Sequence, residues 1–134
     1  LEGAQLVCFS ETILPKHDVL RRYKTQAREQ FDVVWQQAVN QGAFDGLLFN
    51  EEGVLLEGGR SNVFVEIDGA WYTPALDLDV LNGVMRQAVM AKPSRFGFVG
   101  SIQESRSITR EDLQAATQIR LSNALRGVFE VSLM

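Results

Sequence analysis

Through residues 43–73 the apolar positions come in short runs separated by turn residues. Val63, Val65 and Ile67 alternate with Phe64 and Glu66, the period of two that marks a strand. Before it, Val54–Leu56 reads as a short buried strand and Ala43–Asn50 as another, with Phe44, Leu47, Leu48 and Phe49 apolar. Glu51-Glu52-Gly53 turns one into the other as a hairpin. Asp68-Gly69 is a strong two-residue hairpin turn into Ala70–Thr73, which Pro74 ends. Elsewhere the rhythm lengthens. Ala27, Phe31, Val34, Trp35 and Ala38 form one stripe at helical spacing, which predicts a helix from Lys24 or Thr25 to about Asn40, closed by Gly42.

Residues 4–10 read as a buried strand, Pro15 breaks the segment after it, and Lys16–Arg22 is a polar connection. Leu76–Leu81 alternates leucine or valine with aspartate, and Asn82-Gly83 opens a short helix to about Ala91, which Pro93 ends. Phe96–Gln103 is predicted as a strand. Thr109 is an N-cap, with Asp112 standing for the usual glutamate of a capping box, and its helix runs through Ala116. Gln118–Ser122 and Val128–Leu133 are the last strands, around a corner at Asn123–Gly127. The sum is one α+β domain over residues 1–134, strand-rich and mostly hairpin-connected, with one long and two short helices. Hairpins argue against a doubly wound parallel sheet.

Composition narrows the function classes more than it chooses among them. At 134 residues the chain can bury a core but is short for two domains. A net charge of −4, without aromatic and basic residues interleaved, gives no case for nucleic acid. The single cysteine, Cys8, lies in an apolar run, fits a reducing cytosol and forms no intrachain disulfide. His17, the only histidine, makes no metal site alone. No apolar run approaches membrane-spanning length and no signal peptide is visible. The expected compartment is the cytoplasm.

Two positions carry candidate chemistry. Glu57 sits between apolar strands, beside Gly58 and Gly59, in the elbow Glu57-Gly58-Gly59-Arg60-Ser61-Asn62. It is either a surface residue at a hairpin corner or a buried carboxylate whose cost a partner must offset. Lys24, three residues before Ala27, falls on or near the apolar stripe. It is either a first-turn lysine in solvent or a desolvated amine with a lowered pKa, suited to an aldehyde.

Four ordered segments decide between these readings. Tyr23-Lys24-Thr25, Leu47–Val65 with Leu-Glu-Gly-Gly-Arg-Ser-Asn-Val-Phe-Val at its core, Asn82-Gly83-Val84-Met85-Arg86 and Ser122–Gly127 together resemble the class IV aminotransferases, the fold-type IV pyridoxal-phosphate enzymes. Within them the sequence is most similar to the aminodeoxychorismate lyase branch. The resemblance implies a pseudo-barrel of mixed strands with helices packed outside. It implies pyridoxal 5'-phosphate as cofactor, with Lys24 as its amine and as general base and acid. Glu57 is then the partner of the pyridine nitrogen, and the phosphate goes to the backbone of Val84 and Met85 and to Asn123 and Ala124. Arg60 and Arg126, arginines in predicted corners, are either binders of a substrate carboxylate or surface charges. The reaction implied is loss of pyruvate from aminodeoxychorismate to give 4-aminobenzoate, a folate precursor.

The same resemblance sets bounds on this reading. Such enzymes are homodimers with a small N-terminal domain that supplies a phosphate-binding arginine, and the lysine here is only 24 residues in. The chain therefore resembles the larger C-terminal domain alone, as a piece of a longer polypeptide such as a bifunctional 4-aminobenzoate synthase. Many relatives carry a hydroxyl where Met85 stands. Glu29 replaces a tyrosine of the aminotransferase relatives, which argues against branched-chain transamination. Transamination of branched-chain or D-amino acids on the same lysine, and a domain inactive by itself, are the alternatives.

Overall fold

The computed structural model describes residues 5–22 and 28–134. Its strands are β1 (Gln5–Leu14), β2 (Asp45–Asn50), β3 (Leu55–Gly58), β4 (Asn62–Ile67), β5 (Ala70–Tyr72), β6 (Ile102–Gln103), β7 (Gln118–Asn123) and β8 (Gly127–Leu133). Its helices are α1 (Glu29–Asn40), α2 (Val84–Ala91) and α3 (Arg110–Ala115), with short 3-10 turns at Val19–Arg22, Leu76–Leu78 and Pro93–Phe96. All eight strands form one curled sheet, a half-barrel, in the order β3-β2-β1-β8-β7-β4-β5-β6.

The sheet is mixed. β1 runs parallel to both its neighbours, β2 and β8, and β5 runs parallel to β6, while the other four pairings are antiparallel. Hairpins join β2 to β3, β4 to β5 and β7 to β8. Residues 57–62 do not close a fourth hairpin. They cross from β3, at one edge of the sheet, to β4 near the other, and Gly58 N–H donates to the Ser61 carbonyl.

The period of two sorts the strand residues onto opposite faces. Leu47, Phe49, Leu55, Val63, Val65 and Ile67 share one buried cluster with Val7, Leu121 and Val131. Leu48 and Leu56 point the other way, against Phe31 and Val34 of α1, and Phe64 packs with Val89 of α2. So α1 and α2 cover the same sheet face, whereas Leu113 of α3 joins the first cluster on the opposite side. The capping box of α3 forms as predicted: Thr109 Oγ1 accepts from Asp112 N–H and Asp112 Oδ2 from Thr109 N–H.

Two segments depart from the predicted strands. β1 continues to Leu14, with a register irregularity against β2 between Phe9 and Ile13. Phe96–Gln103 is not one strand: only Ile102 and Gln103 pair, because Pro93–Phe96 turns and Gly97 and Gly100 take positive φ of 83° and 79°. Phe96 and Phe98 still serve the core, in the cluster around Trp71. No helix among the described residues is long and apolar enough to cross a membrane.

Candidate active site

The segment that brings the site together is the elbow after β3, and an aspartate on the neighbouring strand shapes it. Asp45, fully buried at the start of β2, accepts from the N–H groups of Gly46 (2.8 Å), Gly59 (3.0 Å) and Arg60 (2.9 Å), and from Ser61 Oγ (2.7 Å). A Cβ on Gly58 would lie 2.4 Å from Ser61 Oγ and 2.6 Å from Asp45 Oδ2. One on Gly59 would lie 2.8 Å from the Phe31 carbonyl of α1. The two glycines therefore serve the close approach of the elbow to Asp45 and α1.

Held this way, the elbow leaves Glu57 on the floor of a cleft of about 520 Å³. Only 1 % of the residue is exposed, and among the described residues its carboxylate accepts one hydrogen bond, a long one from Leu81 N–H at 3.4 Å. Among the described residues the nearest cation is Arg28, whose Nη2 lies 3.9 Å from Glu57 Oε1. Burial pushes the carboxyl up to about 8, opposed by Arg28, the Leu81 N–H and Arg21, and assisted by Asp45. The carboxyl is thus poised to hold or release a proton near neutral pH.

The opposite wall is the start of α2. Gly83, the N-cap, has no side-chain capping bond, and no group among the described residues accepts from Val84 or Met85 N–H. These first-turn donors, at the positive end of the helix dipole, face an anion-sized space. Asn62 pins this wall: its Nδ2 donates to the Leu81 carbonyl at 2.8 Å, and a Cβ on Gly83 would lie 2.7 Å from its Oδ1.

The third side is the β7–β8 corner. Asn123 Oδ1 accepts from Leu125 and Arg126 N–H, so its carbonyl oxygen builds the corner and its amide nitrogen is left to the cleft. Beside it Ser122 Oγ is buried and without a hydrogen-bond partner among the described residues. An orphaned buried hydroxyl is costly unless something it lacks here completes it.

Glu57, Arg60, Val84, Met85, Asn123 and Ala124 all line this cleft. Arg126 does not; its guanidinium lies over the rings of Phe44 (5.1 Å) and Phe129 (4.6 Å). Arg60 stacks on Trp35 at 3.8 Å and reaches Asp32 at 3.5 Å, at the exposed rim. Lys24 lies outside the described residues. Sequence reading missed Arg28, Asn62 and Asp45. For Asp45 a signal existed, a carboxylate inside an apolar strand run, but its partners 14 to 16 residues on did not follow from it.

The curled mixed sheet with helices against it matches the large-domain half-barrel of the class IV aminotransferases. Residues 2–134 match the family model described as amino-transferase class IV, and the chain belongs to that family. The family uses pyridoxal 5'-phosphate. A branched-chain-amino-acid aminotransferase of Pseudomonas aeruginosa is 32% identical over 83 residues, 62% of this chain and 26% of that protein. A Schizosaccharomyces pombe protein assigned as an aminodeoxychorismate lyase is 32% identical over 88 residues, 64% of this chain and 35% of that protein. A solved structure from Legionella pneumophila, assigned as a 4-amino-4-deoxychorismate lyase, superposes with a TM-score of 0.83 at 26% identity, over 98% of this chain and 48% of its own. The chain thus spans under half the length of these relatives.

Proposed function

We propose that this domain binds pyridoxal 5'-phosphate and serves as the large domain of an aminodeoxychorismate lyase. The observation that carries the cofactor reading is the set of unspent groups around one cleft. Glu57 is buried with a single long hydrogen bond, Val84 and Met85 N–H are free at the α2 start, and Ser122 Oγ has no partner among the described residues. A flat cationic base bearing a phosphate would complete all of them. Glu57 would take the ring nitrogen, and Val84, Met85, Ser122 and the Asn123 amide the phosphate. The hydroxyl that Met85 lacks is offered by Ser122. When bound, the cofactor supplies an electron sink for charge that develops on a substrate.

The chain's own residues do the rest. Lys24 Nζ binds the cofactor's aldehyde, then takes and returns protons as base and acid. Glu57, burial notwithstanding, stays ionised against the cationic ring. In the reaction the C–O bond from the ring to the enolpyruvyl group breaks, the ring gives up one proton, and the released enolate gains one as pyruvate. Support for the lyase comes from the motif resemblance and from the S. pombe and L. pneumophila relatives. The P. aeruginosa relative, as identical as the S. pombe one, supports the aminotransferase reading.

The reading includes a further domain and a homodimeric, cytosolic setting. Its support is the short span against relatives and a bare rim, where Val84 and Leu125 are 75% and 97% exposed. The test joins two measurements. Borohydride fixation of pyridoxal 5'-phosphate followed by peptide mapping should label Lys24. Incubation with aminodeoxychorismate should release pyruvate and 4-aminobenzoate in equal amounts without a keto-acid acceptor. Label elsewhere sinks the cofactor reading; a requirement for the acceptor, with a new amino acid formed, sinks the lyase.

A further inference from the structure

Arg28 stands at the mouth of α1 as its N-cap residue, where its guanidinium, a donor only, cannot accept from the first-turn N–H groups. Its side chain turns back into the cleft, and the guanidinium carbon lies 3.8 Å above the Phe31 ring. Nη1 donates to the Arg21 carbonyl at 3.4 Å, and Nη2 lies 3.9 Å from Glu57 Oε1, beyond hydrogen-bond range but well within Coulombic reach. The two side chains are 17% and 2% exposed, so water screens the pair weakly. Among the described residues, the other charged groups that face Glu57 are Arg21, in the turn before, and Asp45, on β2. Arg21 is fully buried but spends its guanidinium on the carbonyls of Pro15, Lys16, Leu78 and Asp79. Asp45 repels. Arg28 is therefore the cation whose position is set by stacking and whose charge is directed at Glu57.

We propose that Arg28 is a positioning residue: clamped over Phe31, it favours the ionised form of Glu57 on the cleft floor and so makes the ring nitrogen's partner readier to accept. The proposal rests on the reading of Glu57 as that partner. It explains why the guanidinium does not close a short ion pair with Glu57. A bidentate pair would occupy the carboxylate oxygens that the ring nitrogen needs.

The experiment has two arms. In the first, the Glu57 carboxyl is titrated by carbon-13 NMR in the cofactor-free chain, for wild type, Arg28→Met, Arg28→Gln and Arg28→Lys. Loss of the charge in either neutral variant should move the Glu57 titration upward by about one pH unit, and Arg28→Lys should return it most of the way. An unmoved titration in a neutral variant whose amide spectrum remains native overturns the Arg28 proposal and leaves the cofactor reading intact. In the second arm, pyridoxal 5'-phosphate is titrated into the same proteins at pH 7 and pH 9. The neutral variants should bind about tenfold more weakly at pH 7 and recover at pH 9, since one pH unit of carboxyl ionisation is tenfold in the accepting form. A moved Glu57 titration with unmoved cofactor binding overturns both the role of Arg28 and the assignment of Glu57.

Discussion

Asp45 and Glu57 are both buried carboxylates, on adjacent strands and a few residues either side of one hairpin, yet the protein treats them oppositely. Burial raises the pKa of each. For Asp45 the donors of Arg60, Ser61, Gly46 and Gly59 pull it back; Glu57, with one long hydrogen bond and a guanidinium 3.9 Å away, reaches about 8. A carboxylate that the fold surrounds with donors is a girder. One that the fold leaves short of donors has been kept for something else. The hydrogen-bond count at equal burial, rather than burial itself, separates the structural acid from the candidate for chemistry.

The contrast can be broken most forcefully at Asp45. Asp45→Ala leaves the N–H groups of Gly46 and Arg60 and the Ser61 hydroxyl without their acceptor, while Gly59 N–H keeps its bond to the Gly46 carbonyl, and at one to three kcal/mol for each orphaned donor the loss should be at least about 3 kcal/mol. Chemical denaturation measures it. A loss below about 1 kcal/mol would mean that the elbow holds its shape without the aspartate.

Glu57→Gln should act in the other direction. The folded carboxyl titrates near 8 against an ordinary value of 4.5, so between those pH values the folded chain binds more protons than the unfolded one. The stability it contributes is whole below about pH 4.5 and falls away as pH rises through 8. The glutamine variant has no such loss. Without cofactor it should match wild type near pH 4.5 and exceed it by about 1–3 kcal/mol at pH 9. Parallel melting curves across that range would remove the contrast. With cofactor, the same substitution should abolish most turnover.

The smallest effect sharpens the comparison. Ser61→Ala removes one of the donors to Asp45 and should cost about 1 kcal/mol at pH 7, while shifting the Asp45 titration upward. The titration of Glu57 should stay where it is. Movement of both would show that the two acids are one coupled unit.

Much of this architecture was legible from local pattern. The alternation at Val63–Ile67, the turn at Asp68-Gly69 and the box at Thr109 and Asp112 each depend on neighbours within a few residues, and each formed. Glu57 was visible because an acid between apolar strands is a local anomaly. What stayed hidden is what depends on pairing at a distance. Arg21 lay in a polar connection and Arg28 inside the predicted helix, and only the docking of their segments on 78–81 and β3 makes one buried and the other a cleft wall. Gly58 and Gly59 mark a close approach of the backbone, but that Asp45 and α1 are what comes close did not follow from the local pattern. Phe96 and Phe98 looked like a strand because core demand and strand periodicity leave the same mark over so short a stretch.

The parallel flanking of β1 has a temporal side. Its partners are β2 and β8, and β8 leaves the ribosome after the other seven strands. Until then β1 and β7, which end as neighbours of that last strand, each present an unpaired edge in a chain already able to form its hairpins. The middle of the sheet is the last part to be sealed, by contacts as distant along the chain as Gln5 with Val131. Such distant closure is slow. Synthesis therefore carries a window in which a nascent chain can pair with its twin through those edges, and a truncation that removed β8 would hold that window open for good.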